Sequence, residues 1–367
     1  MLCLFGIAFY NGANDNFKGG ATLLGSRTAD YPTVLGWVTL TTFAGSVTAF
    51  FLSRGLLKAF SGAGFVPADV LHEPGFLAAT AFGAVATLLV ATKAGLPVST
   101  THGLIGALVG AGFAFAGNGL AVGRILQKFL LPLLISPLLA VAGALLVYPI
   151  LRRVRGLLGV ERESCICVEG RMIPVGARSF PEGEAAAVAV EGTVVPAISA
   201  SRSGCVERYT GRILGVSAQG VLSVMHFLSA GALSFARGLN DTPKNAALLL
   251  SMAVLPAQQS HLTVGLLIAL GGIVSPRRVA ETVSWRITEM NPGQGFTANS
   301  IAAFLVIVAS RWGVPVSTTH VSCGALFGIG TVTGRAEWKT IRAILGAWIG
   351  TLPLAAVLSF LFASVLG

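Results

Sequence analysis

The chain has 367 residues, of which 54% are hydrophobic and only 11% charged, with a mean hydropathy of +0.78 and a formal charge of +10. Soluble domains carry roughly 25% charged residues, so this composition excludes an ordinary soluble domain and defines an integral membrane protein. A positive field favours an anion over a cation as the molecule handled, the lipid bilayer is the expected surrounding, and no nucleic-acid partner is expected.

In chain order, Met1 to Phe9 lacks a basic leading segment and a small-residue cleavage site, so it does not read as a signal peptide. It is also too short to span, which leaves room for residues ahead of it. A polar interruption follows, GANDNFKGGATLL, from Gly12 to Leu24. The run Tyr31 to Phe60 and the run Phe76 to Thr92 approach the roughly 20 apolar residues that cross a bilayer. Next come PVSTTH, Pro97 to His102, and an apolar run from Phe129 to Leu151.

From Arg152 to Arg212 the character changes to nine Arg and seven Glu, with Pro, Gly and short β-branched runs. This linker divides the chain into membrane halves 1–151 and 213–367. RRVRGLLGVER sits directly after an apolar span, and by the positive-inside rule that places the linker in the cytoplasm. Its Cys165, Cys167 and Cys205 lack an evident fourth metal ligand and are expected to be reduced thiols.

The second half repeats the first. Apolar runs from Val216 to Phe235, Leu262 to Val274, Thr297 to Ala309 and Ile341 to Leu366 are interrupted by GLNDTPKNAALLL, Gly238 to Leu250, and by PVSTTH at Pro315 to His320. Aligning Gly95 to Gly112 with Gly313 to Gly330 gives identity at twelve of eighteen positions. Both halves carry NDxxK and then PVSTTH, so the membrane part is a tandem duplication. Paired interruptions of apolar segments mark the central site of a secondary transporter.

Proline ends a helix, whereas Ser and Thr cap the start of the next. Each hexapeptide is therefore expected to be a break followed by a helix N-terminus, whose unpaired N–H groups and hydroxyls suit an oxyanion. Two such ends facing each other would form a neutral cradle of donors. Asp15 and Asp241, with Asn14 and Asn240 and carbonyls of a broken helix, offer hard oxygen ligands for sodium, and a lone Asp would equally carry a proton. The alternative is that each Asp pairs with the lysine three residues on, Lys18 or Lys244. His102 and His320 are expected either to shuttle protons or to hold structure by hydrogen bonds. A membrane hydrolase built on Ser, His and Asp has no use for two equal sets, and a passive anion channel gives the Asn-Asp pairs no role.

GANDNFK, GLNDTPK, both PVSTTH segments and EMNPGQGFTANSIAAFLVIVASRWG together resemble the inorganic phosphate transporters of the Pit type, a family that includes sulfate permeases. The resemblance covers both membrane halves and not the linker. It implies an all-α membrane protein of two inverted-topology repeats with broken or re-entrant helices, about 10–12 spans in all. It implies phosphate at Ser99, Thr100, Thr101, Ser317, Thr318 and Thr319, with Gln294 as a further ligand, and a coupling cation, sodium or proton, at Asn14, Asp15, Asn240 and Asp241. The expected activity is phosphate import by cation symport across the cell membrane, with sulfate or another oxyanion as the alternative cargo, no further cofactor, and a homodimer left open. Family members often carry asparagine where this chain has Lys18, and a lysine there would neutralise Asp15 and remove one sodium site.

Overall fold

Helix α1 (Leu2–Asp15) stops at the aspartate of its Asn-Asp pair, and a 3₁₀ turn over Asn16–Gly19 carries Lys18. The paired Gly19 and Gly20 end helical propagation there. After α2 (Ala21–Gly25), α3 (Tyr31–Leu52) is started by Asp30, whose carboxylate accepts from the Thr33 N–H at 3.2 Å with Pro32 in the first turn. The apolar run expected to continue to Phe60 breaks at Ser53 and resumes as α4 (Arg54–Phe60). The short α5 (Ala68–Leu71) leads to α6 (Pro74–Ala94), the first hexapeptide, α7 (Thr100–Ala116), the short α8 (Val122–Ile125) and α9 (Leu131–Leu157).

The computed structural model describes residues 2–168, 171–175, 188–190, 193–195, 205–213, 215–251, 255–274 and 277–366, with side chains described outside 162–208. The expected state of Cys165, Cys167 and Cys205 therefore falls outside the described side chains. The linker adds strands to a chain that the family resemblance made all-α. Strands β1 (Glu161–Val168), β2 (Arg171–Val175) and β5 (Cys205–Thr210) form an antiparallel sheet in the order β2-β1-β5. Two small antiparallel pairs accompany it, β3 (Val188–Val190) with β4 (Thr193–Val195), and β6 (Arg212–Ile213) with β7 (Val216–Ser217).

The second half is α10 (Ala218–Ser251), α11 (Ala257–Val274), the short α12 (Arg277–Glu281), α13 (Pro292–Arg311), the second hexapeptide, α14 (Thr318–Thr333) and α15 (Trp338–Leu366). Among the described residues, eight helices are long and apolar enough to cross a membrane. Helices α1 and α14, with 14 and 16 residues, fall short of a full span on their own.

Packing is reciprocal between the halves. Helix α1 lies on α11 while α10 lies on α3, and α7 lies on α15 while α14 lies on α9. This exchange of partners is what a pseudo-two-fold relation between the repeats produces. The first two crossings are made by glycines at matching positions. A Cβ at Gly12 would lie 2.0 Å from the Ile268 carbonyl oxygen, and one at Gly271 1.9 Å from that of Phe9. On the other side a Cβ at Gly238 would lie 2.1 Å from the Thr42 oxygen and one at Gly45 2.0 Å from that of Phe235. Backbones meet without side chains between them, which is how helices associate when lipid offers no hydrophobic drive.

Candidate binding site where the repeats meet

Both hexapeptides take the break-then-cap form. Helix α6 ends at left-handed Gly95 (φ 69°) and α13 at Trp312 followed by Gly313 (φ 69°). Ser99 then caps α7 by accepting the His102 N–H at 3.1 Å, and Ser317 caps α14 by accepting the His320 N–H at 3.2 Å. The first amides of each helix, at Thr100 and Thr101 and at Thr318 and Thr319, have no intrahelical acceptor.

The two segments touch. Thr319 donates to the Val98 carbonyl at 2.8 Å and Thr101 donates to the Val316 carbonyl at 3.4 Å, each across the boundary between halves. All six Ser and Thr of the two motifs are buried. Thr100 donates to Asp15 Oδ2 at 2.9 Å, and Thr318 makes the equivalent but longer bond to Asp241 Oδ2 at 3.4 Å.

The Asn-Asp motifs are hydrogen-bonded to these loops. Asn14 donates to the Thr92 hydroxyl at 3.1 Å and the Leu96 carbonyl at 3.2 Å, and accepts from the Val98 N–H at 3.3 Å. Asn240 donates to the Val316 carbonyl at 3.2 Å and accepts from Ser310 at 3.3 Å. Each aspartate pairs with its own lysine, Asp15 with Lys18 and Asp241 with Lys244, the latter at 3.2 Å. The ion-pair alternative is thus realised in both halves. A broken helix accompanies the motif only in the first. In the second, TPKNAALLL continues as helix through Pro243, because alanines and leucines propagate what Gly19 and Gly20 interrupt.

Arg237 completes the cluster, and nothing in the sequence reading singled it out. It is 2% exposed, and its Nε lies 3.6 Å from Asp241 Oδ2. Its Nη1 donates to Asn16 Oδ1 at 3.0 Å and its Nη2 to Asn11 Oδ1 at 3.1 Å. The available signal was an arginine four residues ahead of Asp241 inside an apolar run, one helical turn from the carboxylate. The expected neutral cradle needs correction: three buried cations face two carboxylates, leaving one positive charge in excess.

His102 and His320 meet with ring centroids 4.5 Å apart, and the His320 ring stacks on Trp348 at 3.9 Å. Trp348 donates to the Pro97 carbonyl at 3.0 Å, which ties the first loop to α15.

Gln294 lies elsewhere. Its side chain closes a capping box with Asn291 at the start of α13 and donates to the Tyr148 hydroxyl at 3.2 Å. The second loop begins after the other end of α13, about 26 Å away along the helix at 1.5 Å per residue. Preceding the loop in sequence placed Gln294 at the wrong end of a membrane-length helix, so it does not join the cradle.

A duplicated helical bundle whose repeats meet at two capped helix ends and two buried acid-lysine pairs fits a multi-pass membrane transporter. The phosphate transporter family pattern matches residues 11–359, and the chain belongs to that family. A putative phosphate permease of Thermococcus kodakarensis is 30% identical over 98% of this chain and 95% of its own length. An inorganic phosphate transporter of Arabidopsis thaliana described as chloroplastic is 28% identical over 98% of this chain and 70% of its own. A solved structure titled the sodium-dependent phosphate transporter superposes with a TM-score of 0.74 at 20% identity, covering 100% of this chain and 97% of that one, which establishes the shared fold. These relatives are transporters and permeases rather than enzymes.

Proposed function

We propose that the chain imports inorganic phosphate across the cell membrane as a cation symporter, holding the anion between Ser99, Thr100, Thr101 and Ser317, Thr318, Thr319. In this reading the membrane halves 1–151 and 213–367 are inverted with respect to the bilayer, and the linker 152–212 is cytoplasmic. Coupling acts through Asn14, Asp15, Asn240 and Asp241. The observation that carries the reading is the direct contact of two capped helix N-termini inside a buried cluster with one excess positive charge. Free N–H groups and a net cationic field both stabilise an oxyanion.

In the conformation described, the threonine hydroxyls are already bonded to Asp15, Asp241, Val98 and Val316. A phosphate entering between the loops takes some of those hydroxyls and exchanges one set of hydrogen bonds for another. Because Thr101 and Thr319 bridge the two halves, that exchange loosens one repeat from the other and links binding to a change of access. Uptake of labelled phosphate into proteoliposomes under imposed sodium or proton gradients, in competition with sulfate, tests the proposal. Accumulation driven by at least one of the two gradients, and barely inhibited by excess sulfate, is expected. Downhill flux indifferent to every cation gradient, or preferred uptake of sulfate, overturns it.

A further inference from the structure

The aspartates expected to hold a mobile cation already hold one that belongs to the chain. Lys18 Nζ donates to Asn14 Oδ1 at 2.9 Å, to Asp15 Oδ1, to the Val98 carbonyl at 3.0 Å and to Thr319 Oγ1 at 2.7 Å. Lys244 Nζ donates to Asp241 Oδ1 at 3.2 Å, to the Val316 carbonyl at 2.7 Å and to Thr101 Oγ1 at 2.8 Å. Each set joins a carboxylate, a backbone carbonyl and a hydroxyl, with an amide oxygen added at Lys18. Such sets of hard oxygens are what alkali cations require. Both lysines are buried, at 4% and 1% exposure.

We infer that Lys18 and Lys244 are resident cations standing in for sodium at both Asn-Asp sites, so that phosphate transport by this chain runs without sodium. A sodium ion entering either cage competes with an ammonium tethered three residues from its aspartate, at an effective concentration no bath supplies. Were both present, two like charges would share one carboxylate in a buried site. The arrangement occurs twice at equivalent positions, and each ammonium spans the boundary between halves: Lys18 reaches Thr319 and Lys244 reaches Thr101. The tether therefore fixes the two loops relative to each other, the task a bound ion would otherwise perform. This inference rests on the carrier reading above, and of the two cations the sequence allows it leaves the proton.

The test has a binding arm and a transport arm, both with the full chain. In detergent, thermal unfolding is compared in sodium chloride and choline chloride at equal ionic strength. The wild type is expected to show no sodium-specific stabilisation, whereas Lys18→Ala and Lys244→Ala, which vacate one cage each, are expected to gain at least ~2 °C in sodium over choline. In proteoliposomes, wild-type exchange of labelled phosphate is expected to change less than twofold when sodium is replaced by choline. Sodium-specific stabilisation of the wild type, or a tenfold loss of exchange in choline, overturns the inference. So does the absence of sodium stabilisation in both variants once folded. If either variant does not fold, the wild-type arms still decide. Failure of phosphate exchange in every salt refutes the carrier reading instead, and the unfolding arm then stands alone.

Discussion

Arg237 Nη2 donates to Asn11 Oδ1 at 3.1 Å, and these residues occupy equivalent positions in the two repeats, each four ahead of its motif's aspartate. Equivalent positions meet across the boundary, yet one is a cation and the other an amide. The duplication thus makes two matching acid-lysine pairs, and the difference at this one position supplies the charge that distinguishes the halves.

Replacing Arg237 with Gln should remove the excess positive charge and leave Asn11 and Asn16 without their donor. Breaking a buried ionic network costs about 3–5 kcal/mol, so folded yield and unfolding temperature should both fall. In the protein that survives, the half-saturating phosphate concentration should rise at least about tenfold. Arg237→Lys restores the charge and not the two-pronged geometry, so it should fall between wild type and Gln in both measurements.

Thr101→Val and Thr319→Val should behave alike. Each deletes a hydroxyl that accepts from the lysine of the other half and donates to a carbonyl of the opposite loop. Loss of a hydrogen bond to a charged group costs roughly 1.5–3 kcal/mol, or about ten- to a hundredfold in phosphate affinity. Lys93→Gln and Arg311→Gln, exposed at the ends of α6 and α13, should leave that affinity within about twofold. Transport titrations of the four variants read the difference directly.

Asp15→Asn alone strands a buried ammonium and should destabilise the protein by about 3–5 kcal/mol. Combining it with Lys18→Met removes both charges, and the double variant should recover much of that loss. A thermodynamic cycle read by denaturation should return a coupling of about 1–3 kcal/mol. Additive effects would mean that the pair contributes nothing jointly.

Gly238→Ala and Gly12→Ala push a methyl group to 2.1 and 2.0 Å from backbone oxygens of α3 and α11. The nearest atoms are backbone and cannot rotate away, so the crossing helices must separate. Overpacking of this kind costs about 1–3 kcal/mol or more. Both variants should unfold several degrees below wild type, whereas Gly346→Ala, with nothing within 4 Å of the new methyl, should not.

Much of this site was legible because its elements are written twice. Identical hexapeptides at broken apolar segments announced two capped helix ends, and their contact follows from the duplication. The linker appeared as a change of composition, and its short β-branched runs appear as strands. Other features depend on tertiary placement. Whether NDxxK breaks its helix turned on the residues after it, glycines in one half and alanines in the other. Gln294 looked close to the second loop in sequence because a 20-residue helix between them is invisible as distance. Arg237 was hidden because a lone arginine in an apolar run reads as an interfacial charge until its partners Asn11 and Asn16, contributed by the other half, are in place.

Equilibrium binding of labelled phosphate to the purified protein tests the central claim most directly, that the two loops form one site. The account predicts one phosphate per chain, with affinity lowered at least about tenfold by Thr101→Val and equally by Thr319→Val. Two phosphates bound per chain, or full affinity retained when the threonine of either loop is replaced, would contradict it.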